Sequence, residues 1–265
     1  MSTPVPSAPR PDSAPAALRV EGLGLQIGGA TILHDVDLEI PPGLLVGVIG
    51  PNGAGKTTLF NAVSGIVKPT AGRILMDGTD ITSLSVPARA RAGLGRTFQT
   101  SNLFPRLSVL ENVRIAAQVT EGGDYSLLRF PRRTDAATER AVAMLEEVGL
   151  GHRLDTPAGD MGHGDKRKLE IAVLLATDAR LVLLDEPMAG VGSGDVAGLV
   201  ENIRRMHREK DCSVLMVEHH IDVLMGLVDL VAVMYFGTII ALDTPERIMA
   251  NPTVQSAYLG TGTAA

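Results

Sequence analysis

Nine consecutive residues, Gly50, Pro51, Asn52, Gly53, Ala54, Gly55, Lys56, Thr57 and Thr58, carry the strongest chemical signal in the chain. Their spacing matches G-x-x-x-x-G-K-[S/T]. Gly50, Gly53 and Gly55 permit a tight backbone whose N–H groups can surround a phosphate chain at a helix N-terminus, where the helix dipole favours anions. In that geometry Lys56 would reach the β- and γ-phosphates, the Thr57 hydroxyl would ligate Mg²⁺, and Thr58 would add a phosphate contact. A second signal lies at Asp185-Glu186, two acids that close the apolar run Leu181-Val-Leu-Leu184. Asp185 could hold Mg²⁺ through water, and Glu186 could polarise a water in line with the terminal phosphate. His219 ends another apolar run. Its roles rank as a γ-phosphate contact, then a solvated or packed residue, then one half of a metal pair with His220. No cluster of Cys, Asp or Glu with ligand spacing supports the metal. Gln99, between the loop and the acid pair, reads by itself as polar loop surface.

The elements around these residues suit them. Leu44–Ile49 is a continuous apolar run, the pattern of a buried parallel strand, and Leu59–Val63 continues as a helix. Near-alternate apolar residues at Val20, Leu23, Leu25 and Ile27, and again at Leu33, Val36, Leu38 and Ile40, predict two antiparallel strands about a Gly28-Gly29 turn. Arg73–Met76 is a strand leading into a hairpin turn at Asp77-Gly78. Helices are expected at Ser108–Gln118, at Asp135–Gly149 with Val142, Leu145 and Val148 inward, from about Gly162 to Ala176, and at Val196–Met206. Leu181–Asp185 and Ser213–Glu218 are further buried strands. Leu230–Phe236 and Thr238–Asp243 form a closing hairpin, and a short helix follows Thr244-Pro245. In an open parallel sheet, ligands bind beyond the carboxyl ends of the strands, where all three chemical signals fall.

Residues 1–17, rich in Pro, Ala and Ser, read as a disordered tail, with order beginning near Leu18. Residues 119–134 read as a loop or mobile insertion. The formal charge of −6 offers no basic field for nucleic acid. Lys166, Arg167 and Lys168 read as a solvated helix face, as do Arg129, Arg132 and Arg133 in the insertion. The single cysteine, Cys212, excludes an internal disulfide and reads as a packed thiol in a reducing compartment. No apolar run approaches a membrane span, so a membrane role must come through a partner.

Taken in order, Gly50–Thr58, Gln99, Met161-Gly-His-Gly-Asp165, Leu181–Glu186 and His219 resemble the Walker A, Q-loop, signature, Walker B and switch-histidine motifs of ATP-binding-cassette (ABC) ATPases. The resemblance runs from about Leu18 to Gly260. It implies an α/β fold: a P-loop NTPase core with a parallel sheet, an N-terminal antiparallel β-subdomain and an α-helical signature subdomain. It places one ATPase domain at 18–260, with the Q-loop and helical part at about 97–176, and a tail at 261–265. Gly95-Arg-Thr-Phe-Gln99, His163–Ala172, Asp185–Gly190, Glu218-His219 and Asn251–Gly260 are similar to the subunits that drive branched-chain amino acid importers, with urea and short-amide importers as near relatives. A lipid or lipopolysaccharide exporter ATPase is the alternative, and an ATP-dependent clamp with little turnover is another.

The resemblance implies ATP and Mg²⁺ as ligands and Glu186 as base, with His219 holding the γ-phosphate. Gln99 would sense Mg²⁺ and the water. Two subunits would close head to tail, ATP lying between one P-loop and the partner's Gly162, His163 and Gly164. The surface at Thr97–Phe104 would receive a membrane permease subunit, a solute-binding protein would act indirectly, and the protein would sit on the cytoplasmic face of the membrane. Three positions depart from the family. Gly162 cannot offer the usual serine hydroxyl. Ile27 stands where an aromatic usually stacks on adenine, and Gly192 stands where Asp or Asn is usual. A heterodimer with unequal sites would account for all three.

Overall fold

The computed structural model describes residues 15–97, 102–120 and 136–259. Most of the expected tail, Gln99, the insertion with Arg129, Arg132 and Arg133, and the last residues lie outside the described residues.

The chain opens with β1 (Leu18–Ile27) and β2 (Ala30–Ile40), then β3 (Leu45–Ile49) and α1 (Lys56–Ser64). A hairpin of β4 (Ala71–Met76) and β5 (Thr79–Asp80) precedes α2 (Val86–Arg91) and β6 (Leu94–Arg96). Three helices follow, α3 (Val109–Thr120), α4 (Ala136–Glu147) and α5 (His163–Ala176). The chain then returns through β7 (Leu181–Asp185), α6 (Ser193–Lys210), β8 (Ser213–Val217) and α7 (Ile221–Met225). It closes with β9 (Leu230–Tyr235), β10 (Thr238–Asp243), α8 (Pro245–Ala250) and α9 (Pro252–Leu259).

Two sheets result. One is antiparallel, in the order β2-β1-β4-β5; the other has the order β10-β9-β3-β8-β7-β6 and is parallel except for the β9–β10 hairpin. The central strands β3, β7 and β8 are buried throughout. Their alternate side chains feed two cores, as the two-residue period of a strand requires. Val46, Val48, Leu183 and Leu215 pack with Leu59 and Phe60 of α1 and with Leu18, Val20 and Leu25 of the antiparallel sheet. Leu45, Leu184, Val214 and Met216 pack with Leu145, Leu169, Leu175 and Ile203 of α4, α5 and α6. The loop-bearing helix α1 is thus clamped from two directions.

Its C-terminus is secured separately. Gly65 takes a left-handed conformation (φ 82°) as the cap, and the last carbonyls accept from a buried guanidinium: Arg89 Nη1 donates to Ala62 O at 2.7 Å and Val63 O at 2.6 Å. Ala62 O also accepts from Gly65 N at 3.1 Å, so the guanidinium is a second donor there and a charged partner for the Val63 carbonyl at the helix end.

Several details differ from the sequence expectations. Ala16 and Ala17 are buried, so packing begins two residues ahead of Leu18. The edge strand β6 was not expected; at three residues, with Gly95 and Arg96 in it, it shows no hydrophobic period. On α4 the buried stripe is Ala137, Ala141 and Leu145, while Val142 is only half-buried. Arg167 is no part of a solvated face: it is buried and pairs with Glu170 at 2.7 Å. The C-terminus carries two helices rather than one. Cys212 is buried, and burial pushes its thiol up to about 11.

Candidate functional site

β3 delivers the chain into the glycine loop at the carboxyl end of the parallel strands. A side chain at Gly50 would run into the Met234 carbonyl on β9. Gly53 (φ 78°) and Gly55 (φ 104°) occupy left-handed backbone that disfavours any side chain. Gly55 is the N-cap of α1, with no side-chain cap over the first-turn N–H groups, so an anion can meet them directly. Lys56 is buried and folds back over the loop, its Nζ donating to Gly50 O at 2.7 Å and Pro51 O at 3.0 Å. Burial lowers its pKa, opposed by the nearby Glu186 carboxylate. Thr57 is exposed at the mouth of the loop and Thr58 is half-buried.

Asp185 ends β7 almost wholly buried. Its Oδ2 pairs with Arg96 Nη2 at 3.0 Å, and its N–H donates to Thr97 Oγ1 at 3.2 Å. Arg96 Nη1 reaches back to α1, donating to Phe60 O at 3.0 Å and to Ser64 Oγ at 2.5 Å. Arg96 therefore ties the acid strand to the helix that carries the loop. Burial raises the Asp185 pKa and the Arg96 guanidinium opposes that rise. Its second oxygen, Oδ1, is buried with no hydrogen-bond partner among the described residues. A buried carboxylate oxygen left so is costly unless a ligand completes it. With the exposed Thr57 hydroxyl, Asp185 Oδ1 is an all-oxygen donor set that suits a hydrated Mg²⁺.

Glu186 follows with φ 49°, a left-handed conformation that costs a non-glycine residue about 1–2 kcal/mol. Two bonds impose it: Glu186 N donates to Val217 O at 2.9 Å, and Ala189 N donates to Glu186 O at 3.0 Å. The side chain meets His219, with Oε1 2.8 Å from Nε2. Strained backbone at a carboxylate beside the glycine loop is the kind of cost that a site retains for function.

The structure thus gathers the loop, Asp185, Glu186 and His219. The remaining candidates lie elsewhere or outside. Gln99 is outside the described residues, though Thr97 beside it is pinned to β7. Gly162 is the N-cap of α5 and offers no side-chain cap; His163 is exposed beside Gly190. This helix packs on α3, α4 and α6. Ile27 is 54% exposed at the end of β1, an apolar side chain on open surface. Gly192 is likewise an uncapped N-cap, at α6. Among the described residues no group of three or more His, Cys, Asp or Glu is arranged to hold a metal ion, so nothing favours a metal pair at His219-His220. Arg96 was missed as a functional residue. Arginine on a strand edge gives no signal of its own, and its partner stands 89 positions away.

A glycine loop on a parallel sheet, an acid pair on the next-but-one strand and a separate uncapped helix start define a cassette-type P-loop ATPase. The comparisons agree. The ABC transporter family model matches residues 33–189, and a branched-chain amino acid ATP-binding cassette transporter model matches residues 238–264. The chain is 39% identical over 248 residues to the high-affinity branched-chain amino acid transport ATP-binding protein LivG of Escherichia coli K12, covering 92% of this chain and 97% of LivG. It is 37% identical to BraF of Pseudomonas aeruginosa over the same shares. Among solved structures it resembles the ADP conformation of MJ1267, an ATP-binding cassette of an ABC transporter, at a TM-score of 0.80 and 28% identity, covering 92% of this chain and 99% of that one. The chain belongs to the ABC transporter family of ATP-binding proteins and is an ATPase that works in transport.

Proposed function

We propose that this chain drives an importer for branched-chain amino acids or a related small solute such as urea or a short amide. The observation that carries this reading is the match of residues 238–264 to the branched-chain amino acid cassette model, which also speaks against the lipid-exporter alternative. No helix of the described residues is long and apolar enough to cross a membrane, so the chain would dock on membrane permease subunits at the cytoplasmic face. A solute-binding protein would deliver the cargo to those subunits. Five residues after Gln99 in the sequence, Phe104 is 53% exposed, yet its backbone is held by the buried Asn112, which accepts from Phe104 N at 2.8 Å. An exposed apolar side chain on a hydrogen-bonded backbone there suits a docking contact.

In the proposed cycle the loop N–H groups and Lys56 bind the phosphates, and Thr57 with Asp185 hold Mg²⁺. The metal supplies neutralisation of phosphate charge. Glu186 takes the proton of the attacking water, and His219 orients Glu186 and contacts the γ-phosphate. Gln99 reports the state of the site to the permease. The N-terminus of α5, at Gly162, His163 and Gly164, presents its dipole to the nucleotide of a second ATPase subunit. Since Gly162, Ile27 and Gly192 each withhold a contact, a second copy of this chain would complete a weak site, and a different ATPase subunit with fuller elements would complete a stronger one. Uptake of labelled leucine by cells carrying the intact transporter tests the reading. It should stop on Glu186→Gln with the protein still present. Undiminished uptake, or lipid export lost in its place, would overturn it.

A further inference from the structure

We propose that Glu218 is a positioning residue for ATP hydrolysis, holding the loop of Glu186 and the loop of His219 at a fixed separation. This rests on the ATPase reading of the same site. Glu218 follows β8 and its side chain is 1% exposed. Its Oε1 accepts from Met188 N at 2.7 Å. Its Oε2 accepts from His219 N at 2.9 Å and His220 N at 3.3 Å, and lies 3.2 Å from His220 Nδ1. Met188 is two residues beyond Glu186, and His219 adjoins Glu218 itself. One carboxylate therefore bridges the backbone of both segments whose side chains meet in the 2.8 Å Glu186–His219 contact.

The chemistry explains why a carboxylate stands here. A buried acid is costly unless hydrogen bonds and charge partners compensate. Among the described residues its ion-pair partner is the exposed His220, so the backbone N–H groups provide most of that compensation. Those N–H groups converge from two directions and need two acceptor oxygens with no donor. A carboxylate alone among side chains supplies this; glutamine would turn one end into a donor facing N–H groups. The geometry of Glu186 depends on this clamp in particular. Its backbone is left-handed and relaxes unless its surroundings hold it, and Met188 is where Glu218 pins the following turn. A shift of about 1 Å between reacting groups can cost about a hundredfold in rate.

The test compares the full chain with Glu218→Gln, His219→Ala and the double variant in steady-state ATP turnover with Mg²⁺, with ATP binding and thermal unfolding followed in parallel. Glu218→Gln should lower kcat by about tenfold to a hundredfold and leave KM and ATP affinity within about twofold, since the glycine loop is untouched. The double variant should lose little more than His219→Ala, because Glu218 acts through that pair. If Glu218→Gln fails to fold, Glu218→Asp replaces it; its shorter arm cannot span both loops and the same split is expected. A kcat within twofold of the unmodified chain, a loss confined to KM, or fully multiplicative losses in the double variant would each overturn the proposal. An unmodified chain that binds ATP without turning it over, both alone and with a second ATPase subunit added, would instead sink the ATPase reading beneath it.

Discussion

The two places where this chain can meet a nucleotide are built to different standards. At the glycine loop the charged groups and the helix are held in place. Lys56 is buried and bonded to two loop carbonyls, α1 is capped by Gly65 and Arg89, and Asp185 is tied through Arg96 to the same helix. At the start of α5, Gly162 offers no cap, His163 is exposed, and a side chain added at Gly162 would meet nothing within 4 Å. Preorganisation stabilises a site that must bind by itself, because it lowers the ordering cost on binding. A surface that meets its ligand only when a second subunit arrives can stay bare. On the proposed function the first place binds ATP and the second completes another subunit's site.

The largest effect should come from breaking the support of the first place. Arg96→Met leaves Asp185 buried without its cation and should destabilise the fold by about 3–5 kcal/mol, read as a fall in the denaturation midpoint. A loss under about 1 kcal/mol would mean that the pair does not brace the site. Lys56→Ala should weaken ATP binding by about a hundredfold, the scale of one or two charge-assisted bonds to phosphate, while the unfolding midpoint changes far less. Glu186→Gly removes a side chain from left-handed backbone. It should raise stability by about 1 kcal/mol even as turnover disappears, which calorimetry and a phosphate-release assay would separate. The smallest effect tests the bare place. Gly162 has φ −67°, ordinary for serine. Gly162→Ser should therefore stabilise α5 by no more than a few tenths of a kcal/mol and raise turnover about twofold, roughly one weak neutral hydrogen bond. Unchanged turnover would show that the missing hydroxyl does not limit this chain.

Legibility in the sequence divided along the same line. The glycine loop, the three buried strands and the three hairpins could be read directly, because each carries a local rule: a spacing, an apolar run or a turn dipeptide. What could not be read was held by contacts between distant positions. The β6 strand exists because Leu94–Arg96 pairs with Leu181–Leu183, not because three residues have a period. Arg167 looked solvated among its basic neighbours, yet it is buried on α5, a helix that packs on α3, α4 and α6, and pairs with Glu170 one turn on. Arg96 and Arg89 gain their roles only when α1 comes beside them. The roles of Gly162, His163 and Ile27 rest on resemblance, since an open glycine or an exposed apolar side chain has no geometry of its own to read.

The most direct measurement is steady-state ATP turnover with Mg²⁺ for the full chain and for Glu186→Gln, across a range of protein concentrations. Turnover should rise faster than linearly with concentration and fall at least about a hundredfold in the variant, with ATP binding retained in both. Equal turnover in the two proteins would contradict this, and so would turnover strictly proportional to concentration: the first would remove Glu186 as the base, the second the need for a second subunit.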